Sequence, residues 1–361
     1  MGEGITRLVE MEVPRFRMPS LSLDSNFFQK ALTTKQLSRG DATQIFQKLI
    51  ADKLGFPNAI LSANGFSALQ LGIETLGLKN AKIVVPAAST CMAIVNSVRA
   101  SGNSPVYCDL DLGTASLDAS KLNELILNEK PYLVISPSHF GIITEYDRYI
   151  YKAVQVLEDN AQAFLSDVAY QSQRSSYARI YSFYPTKGLN AIDGGAFVSN
   201  DERTMSKCLS ISNYDGIRSD DRLVRHNFRM NNINCAVGLD NMTSLDSSIK
   251  RRNEVRDIYA NVLGNFEKVS FLNSSRTVLQ KFVLRFADEN SRNLFNEKMR
   301  SHGIGSSSEL NYLPTRESKV FSRAKQLTET TCSIPYYETL SDLEVEYVVD
   351  KMSKVLKTIS D

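Results

Sequence analysis

Lys187 stands where a lysine could do chemistry. A largely apolar run, residues 178–183, precedes it and reads as a buried strand. Pro185 cannot continue a ladder, so the chain leaves the sheet there. Gly194-Gly195 then makes a turn, and Ala196-Phe197-Val198 starts another strand. An amine carried between two buried strands loses hydration, which disfavours its charge and leaves it nucleophilic. The alternative is a solvated loop lysine, and the apolar surroundings weigh against it.

Two further groups precede Lys187 in the chain. Ala153-Val-Gln-Val-Leu157 is an apolar strand that ends on Glu158-Asp159, with Gln162 three residues on. In open α/β sheets, ligands sit outside the carboxyl ends of the strands. Asp159 taken alone would read as a helix cap. Ala59-Ile-Leu-Ser runs into Ala63-Asn-Gly-Phe-Ser-Ala-Leu, a turn that opens an amphipathic helix to residue 76. Backbone N–H groups and the helix dipole favour an anion at such a start. Gly65 permits close backbone approach, and Ser67 offers a hydroxyl.

The elements around these groups alternate. Residues 41–54 have helical apolar spacing, with Asp41 as the expected cap. Residues 81–86 and 132–136 read as strands covered on both faces. Residues 89–98 read as a helix and 104–109 as a short strand. After the lysine stretch come a helix over 201–212, an Arg-rich loop over 213–226 and a helix over 233–245. A charged helix over 247–263 leads to strands at 268–272 and 280–286. Residues 1–25 read as irregular, punctuated by Pro14 and Pro19.

Composition narrows the function. The 361 residues suffice for two lobes, and 42% hydrophobic with 23% charged content is ordinary for a globular chain. Lys+Arg 42 against Asp+Glu 40 gives +2, so bulk charge implies neither nucleic acid nor membrane as a partner. Cys91, Cys108, Cys208, Cys235 and Cys332 form no CxxC pair, which suggests neither a metal site nor a disulfide framework. The start of the chain lacks the apolar core of a signal peptide, and no apolar run has the length of a membrane span. A cytoplasmic protein with reduced thiols is expected.

Ser182-Phe183, Lys187 and Asp193-Gly194-Gly195 together resemble the lysine segment of the DegT-type sugar aminotransferases, a branch of the fold-type I pyridoxal phosphate (PLP) enzymes. Glu158-Asp-Asn-Ala-Gln162 resembles the family's Glu-Asp-x-Ala-Gln pattern. The resemblance runs from about residue 30 to the end of the chain. It implies that Lys187 is the Schiff-base lysine and Asp159 the partner of the pyridine nitrogen, whose protonation makes the ring an electron sink. Gln162 would lie near the phenolic oxygen of the ring, and Ser182 at the phosphate. The turn Gly65, Phe66 and Ser67 matches the family's phosphate cup, with Phe66 where a threonine is usual. Cys91, in the pattern Thr90-Cys91-Met92-Ala93, would replace an aromatic residue against the ring; a plain buried thiol is the alternative. Asn227, in the segment Asn227-Phe-Arg-Met, would reach the phosphate of a neighbouring subunit. His139, Arg229 and Tyr312 are substrate candidates, Arg229 because guanidinium matches carboxylate geometry.

The fold so implied is α/β, with a large lobe (26–245) on a mixed, mostly parallel seven-stranded sheet. A smaller α+β lobe (246–361) follows, with residues 1–25 on it or on a dimer partner. The implied reaction moves an amino group from an amino acid, glutamate by expectation, to a keto sugar nucleotide in a homodimer with composite sites. Aminotransfer to a cyclitol, sugar dehydration and a non-catalytic protein of this fold are the alternatives. The dehydratase variants replace the lysine, so Lys187 disfavours dehydration. A PLP-binding regulator would need a DNA-binding module, for which the chain leaves no room.

Overall fold

The computed structural model describes residues 11–17, 25–146, 148–171, 174–215, 224–314 and 321–360. Eight strands come first: β1 (Ile60–Ser62), β2 (Lys82–Pro86), β3 (Ala88–Ser89), β4 (Ser104–Cys108), β5 (Leu133–Pro137), β6 (Gln155–Asp159), β7 (Ala178–Ser182) and β8 (Gly195–Val198). Seven of them form one sheet in the order β1-β8-β7-β6-β5-β2-β4. The pairs among β7, β6, β5, β2 and β4 are parallel, and β8 runs antiparallel to both β7 and β1. This is the expected mixed, mostly parallel seven-stranded sheet.

The apolar runs explain its burial. Along β2, Ile83 and Val85 join one core cluster and Val84 another, so both faces are covered. The helix Gly65–Thr75 lies on the first face. It comes so close that a Cβ on Gly72 would stand 2.7 Å from Leu157 Cδ2. On the other side, the helices Asp41–Leu54 and Asn232–Met242 cross where Gly238 meets the Phe46 ring.

A second sheet, in the order β12-β10-β9, comprises β9 (Val269–Phe271), β10 (Phe282–Phe286) and β12 (Thr331–Ile334). The helices Glu289–Ser301, Ser322–Thr330 and Asp342–Ser360 belong to this part of the chain. One apolar cluster runs from Val84 and Val134 of the large sheet to Phe282 and Leu284 of the small one. We propose the division at 245/246, in the first turn of the helix Leu245–Leu263. Residues 11–17 lie against the smaller lobe of their own chain. Val13 N donates to Gly303 O, and Gly305 N donates to Val13 O, both at 2.9 Å.

Two local expectations are corrected. The helix expected from residue 89 begins at Ala93, because Ala88–Ser89 is taken up as β3 and pairs with β11 (Asn311–Tyr312). Asp41 is not a cap. Gly40 is the N-cap, while Asp41 is the first helical residue and pairs with Lys30 at 2.9 Å.

Candidate active site

Lys187 lies in the loop between β7 and β8. Phe183 N donates to Gly194 O at 2.8 Å, which pins the two ends of that loop. Lys187 N closes a turn on Tyr184 O at 2.8 Å, and Gln280 Nε2 donates to Thr186 O at 2.7 Å. The side chain keeps some solvent exposure. Burial holds its amine below the ordinary lysine range, against the opposing pull of Cys91 and Asp159.

Asp159 ends β6 and is buried. Burial raises its proton affinity; the Ala161 N–H, 3.1 Å from Oδ1, and the charge of Lys187 act the other way. Behind it lies a buried ionic cluster. Arg174 Nε donates to Glu158 at 2.7 Å and its NH2 to Asp167 at 2.9 Å. Tyr181 and Asn160 each donate to Asp167 at 2.6 Å, and Arg179 stands 3.3 Å from Glu158. These contacts tie β6 to β7 and hold the strand end that presents Asp159. Arg174 gave no sequence signal, since only the fold brings it to Glu158.

The turn Gly65-Phe66-Ser67 meets β7 directly. A Cβ on Gly65 would stand 2.8 Å from Ser182 Cβ. Ser67 is held differently from expectation. Its N–H and hydroxyl both donate to Asn64 Oδ1, at 2.9 and 3.0 Å, so Asn64 caps the helix and engages the Ser67 hydroxyl. Asn64 was missed, although Asn ahead of a helical run is a cap signal. Phe66 is exposed. Gln162 joins this edge, accepting from Phe140 N and donating to Thr90 Oγ1, both at 2.8 Å. Cys91 follows Thr90 in the turn ahead of the helix and is exposed, so it is not a buried thiol.

His139 is buried. Its Nδ1–H donates to Ala115 O and its Nε2 accepts from Ser89 Oγ, both at 2.9 Å. Burial pushes its pKa down to about 4, so the ring is neutral and fully engaged. Tyr312 pairs with Ala88, and its hydroxyl accepts from Phe321 N at 2.9 Å. Arg229 is held by Asp215 at 3.2 Å, Asn213 at 3.1 Å and Asn227 at 3.2 Å. Asn227 is exposed beside the cup, since the next residue, Phe228, accepts through its carbonyl from Ala63 N at 2.7 Å. Arg218 and its neighbours, residues 216–223, lie outside the described residues.

Lys187, Asp159, Ser182, Gly65, Gln162 and Cys91 thus share one end of the sheet, while Asn227 and Arg229 sit at its rim. This donor set fits PLP: a desolvated amine for an aldehyde, a buried carboxylate for a ring nitrogen, and a helix start against Ser182 for a phosphate. The sequence matches a model of an aminotransferase family across residues 22–353. The chain belongs to the DegT/DnrJ/EryC1/StrS aminotransferase family. It is 24% identical over 342 residues to the GDP-perosamine synthase of Escherichia coli O157:H7, covering 88% of this chain and 91% of that one. The GDP-perosamine synthase of Caulobacter vibrioides is 30% identical over 260 residues, covering 68% and 69%. Among solved structures, the PMP form of a Streptococcus pneumoniae sugar aminotransferase superposes with a TM-score of 0.86 at 19% identity, covering 97% of this chain and 98% of that one. Family membership makes the protein a PLP-dependent aminotransferase. No helix among the described residues is long and apolar enough to cross a membrane.

Proposed function

We propose that this member of the family moves an amino group from glutamate to a keto sugar carried on a nucleotide, as a cytoplasmic homodimer with composite sites. The observation behind this reading is the placing of Lys187 and Asp159 at one end of the sheet, where each lies within the other's field. The names of the relatives, GDP-perosamine synthases among them, support the sugar-nucleotide acceptor.

PLP, when bound, supplies an electron sink for the carbon that loses its proton. Lys187 Nζ would hold the cofactor. Displaced by the donor amine, it would move the proton from the donor Cα to the cofactor C4′ and, in the return half, from C4′ to the acceptor carbon as general acid/base. Burial favours the uncharged form this step needs. Asp159, as the ionised carboxylate, would keep the ring nitrogen protonated, and the charge of Lys187 favours that ionised form against the burial that opposes it. The start of the helix Gly65–Thr75 and Ser182 orient the phosphate, with Asn227 reaching the partner's site. Phe66 leaves the backbone N–H groups to do what a threonine hydroxyl does elsewhere.

The test is a mass-spectrometric screen of keto-sugar nucleotides with glutamate. An amino-sugar nucleotide with equimolar 2-oxoglutarate supports the reading. Turnover of free cyclitol ketones alone, or dehydration without amino transfer, would replace it.

A further inference from the structure

Lys187 opens onto a cavity of about 220 Å³ whose other walls come from residues 15–17 and the smaller lobe. Pockets for drug-sized ligands run about 300–1,000 Å³, so this one suits an amino acid rather than a sugar nucleotide. Beside Lys187, its lining includes four cationic side chains, Arg15, Arg17, Arg252 and Lys281, against the two carboxylates Glu309 and Glu338. Two of the cations have their own partners. Arg252 pairs with Glu338 at 2.7 Å, and Arg17 with Glu344 at 2.5 Å. Arg15 and Lys281 share a single carboxylate, Glu309, which also accepts from the Ser333 hydroxyl. The Glu309 side chain is 6% exposed, whereas those of Arg15 and Lys281 keep 30% and 29%. All three line the cavity, and the two cations are the more exposed members of the cluster.

We propose that Arg15 and Lys281 receive the side-chain carboxylate of a dicarboxylic amino-acid donor, and that Glu309 is the internal carboxylate that holds both cations in place until it arrives. The donor amine then points to Lys187 at the other end of the cavity. Arg229, the sequence's candidate for this task, is occupied by Asp215 at the rim. Arg15 reaches the cavity because Val13 is pinned between Gly303 and Gly305. The proposal rests on the reading of Lys187 as the cofactor-bearing lysine.

Two substitutions with opposite expected signs test it. Calorimetry would measure glutarate binding to the PLP-loaded protein, and absorbance would follow loss of the imine band on adding L-glutamate or L-alanine. Arg15→Gln should weaken glutarate about tenfold or more and lower the preference for glutamate over alanine by a similar factor, as expected for a lost charge-assisted hydrogen bond. Glu309→Gln removes the competing carboxylate while its amide oxygen still accepts from Ser333, so glutarate should bind more tightly. A merely structural clasp predicts weaker binding in both. If Arg15→Gln leaves the preference unchanged, or Glu309→Gln weakens glutarate, the proposal is overturned. Lys281→Gln gives the same readout should Arg15→Gln fold poorly. Borohydride labelling of the same samples separates the two readings: absence of label at Lys187 sinks the cofactor assignment, whereas a labelled Lys187 with an unselective Arg15→Gln overturns the donor pocket alone.

Discussion

Gly65 and Ser182 are in contact across the end of the sheet, with 2.8 Å between the place of a Gly65 Cβ and the Ser182 Cβ. No real Cβ pair sits that close. Gly65→Ala must push the helix start off β7, at a cost of about 1–3 kcal/mol for such overpacking. The larger effect should fall on PLP, because both residues border the proposed phosphate site. Affinity measured by cofactor absorbance should drop about tenfold or more, near the value of one charge-assisted hydrogen bond. Unchanged PLP affinity in a destabilised Gly65→Ala protein would move the phosphate elsewhere.

Lys187 should be the residue modified when the holoenzyme is reduced with borohydride and its peptides are mapped. Lys187→Ala should retain PLP non-covalently and lose at least about 100-fold in turnover, the lower range for removal of a general acid/base. A label on any other lysine refutes the assignment.

Asp159→Asn should fold, since the amide can still accept from Ala161 N, yet slow Cα deprotonation by orders of magnitude. An amide cannot hold the proton of the ring nitrogen. Deuterium exchange at the Cα of glutamate reads this step directly. Near-normal exchange with PLP bound would reduce Asp159 to a structural residue.

His139 makes stability depend on acid. Its pKa falls from 6.5 unfolded to about 4 folded, so between those values the unfolded chain binds a proton that the folded one refuses. Stability is therefore lost as pH drops from about 6.5 to about 4, on the order of 3 kcal/mol in total, and the loss stops below that. His139→Gln should flatten this part of a denaturation profile. An identical slope in both proteins would show that other groups set it.

The homodimer is tested by mixing inactive parents. Lys187→Ala and Asn227→Ala subunits should regain activity together, because one site of the mixed dimer carries both lesions and the other neither. An active monomer in sedimentation, or verified mixed dimers without activity, would end the shared-site reading.

Much of this was legible from local pattern. Apolar runs set the seven strands, and the order Gly65, Asp159, Ser182, Lys187 placed the first three at a helix start or strand end and Lys187 in the loop between two strands. What the sequence did not disclose depends on distant pairing. Cys91 lies in a turn and not on a helix because β3 is captured by β11, over 200 residues away. The hydroxyl of Tyr312 faces Phe321 N, and Arg229 faces Asp215, contacts that no spacing rule announces. Arg15 and Glu309 are 294 residues apart.

The buried cluster of Glu158, Asp167, Arg174 and Arg179 constrains how the family member can drift. Losing one partner strands a charge in the interior, at about 3–5 kcal/mol, a large share of a domain's stability. Replacing the whole set by well-packed apolar residues can be neutral, but only when all four change together and the Tyr181 and Asn160 donors find other partners. Single steps therefore lead downhill while the four-step jump does not. The four positions form an evolutionary ratchet, expected to vary as a block among relatives or not at all.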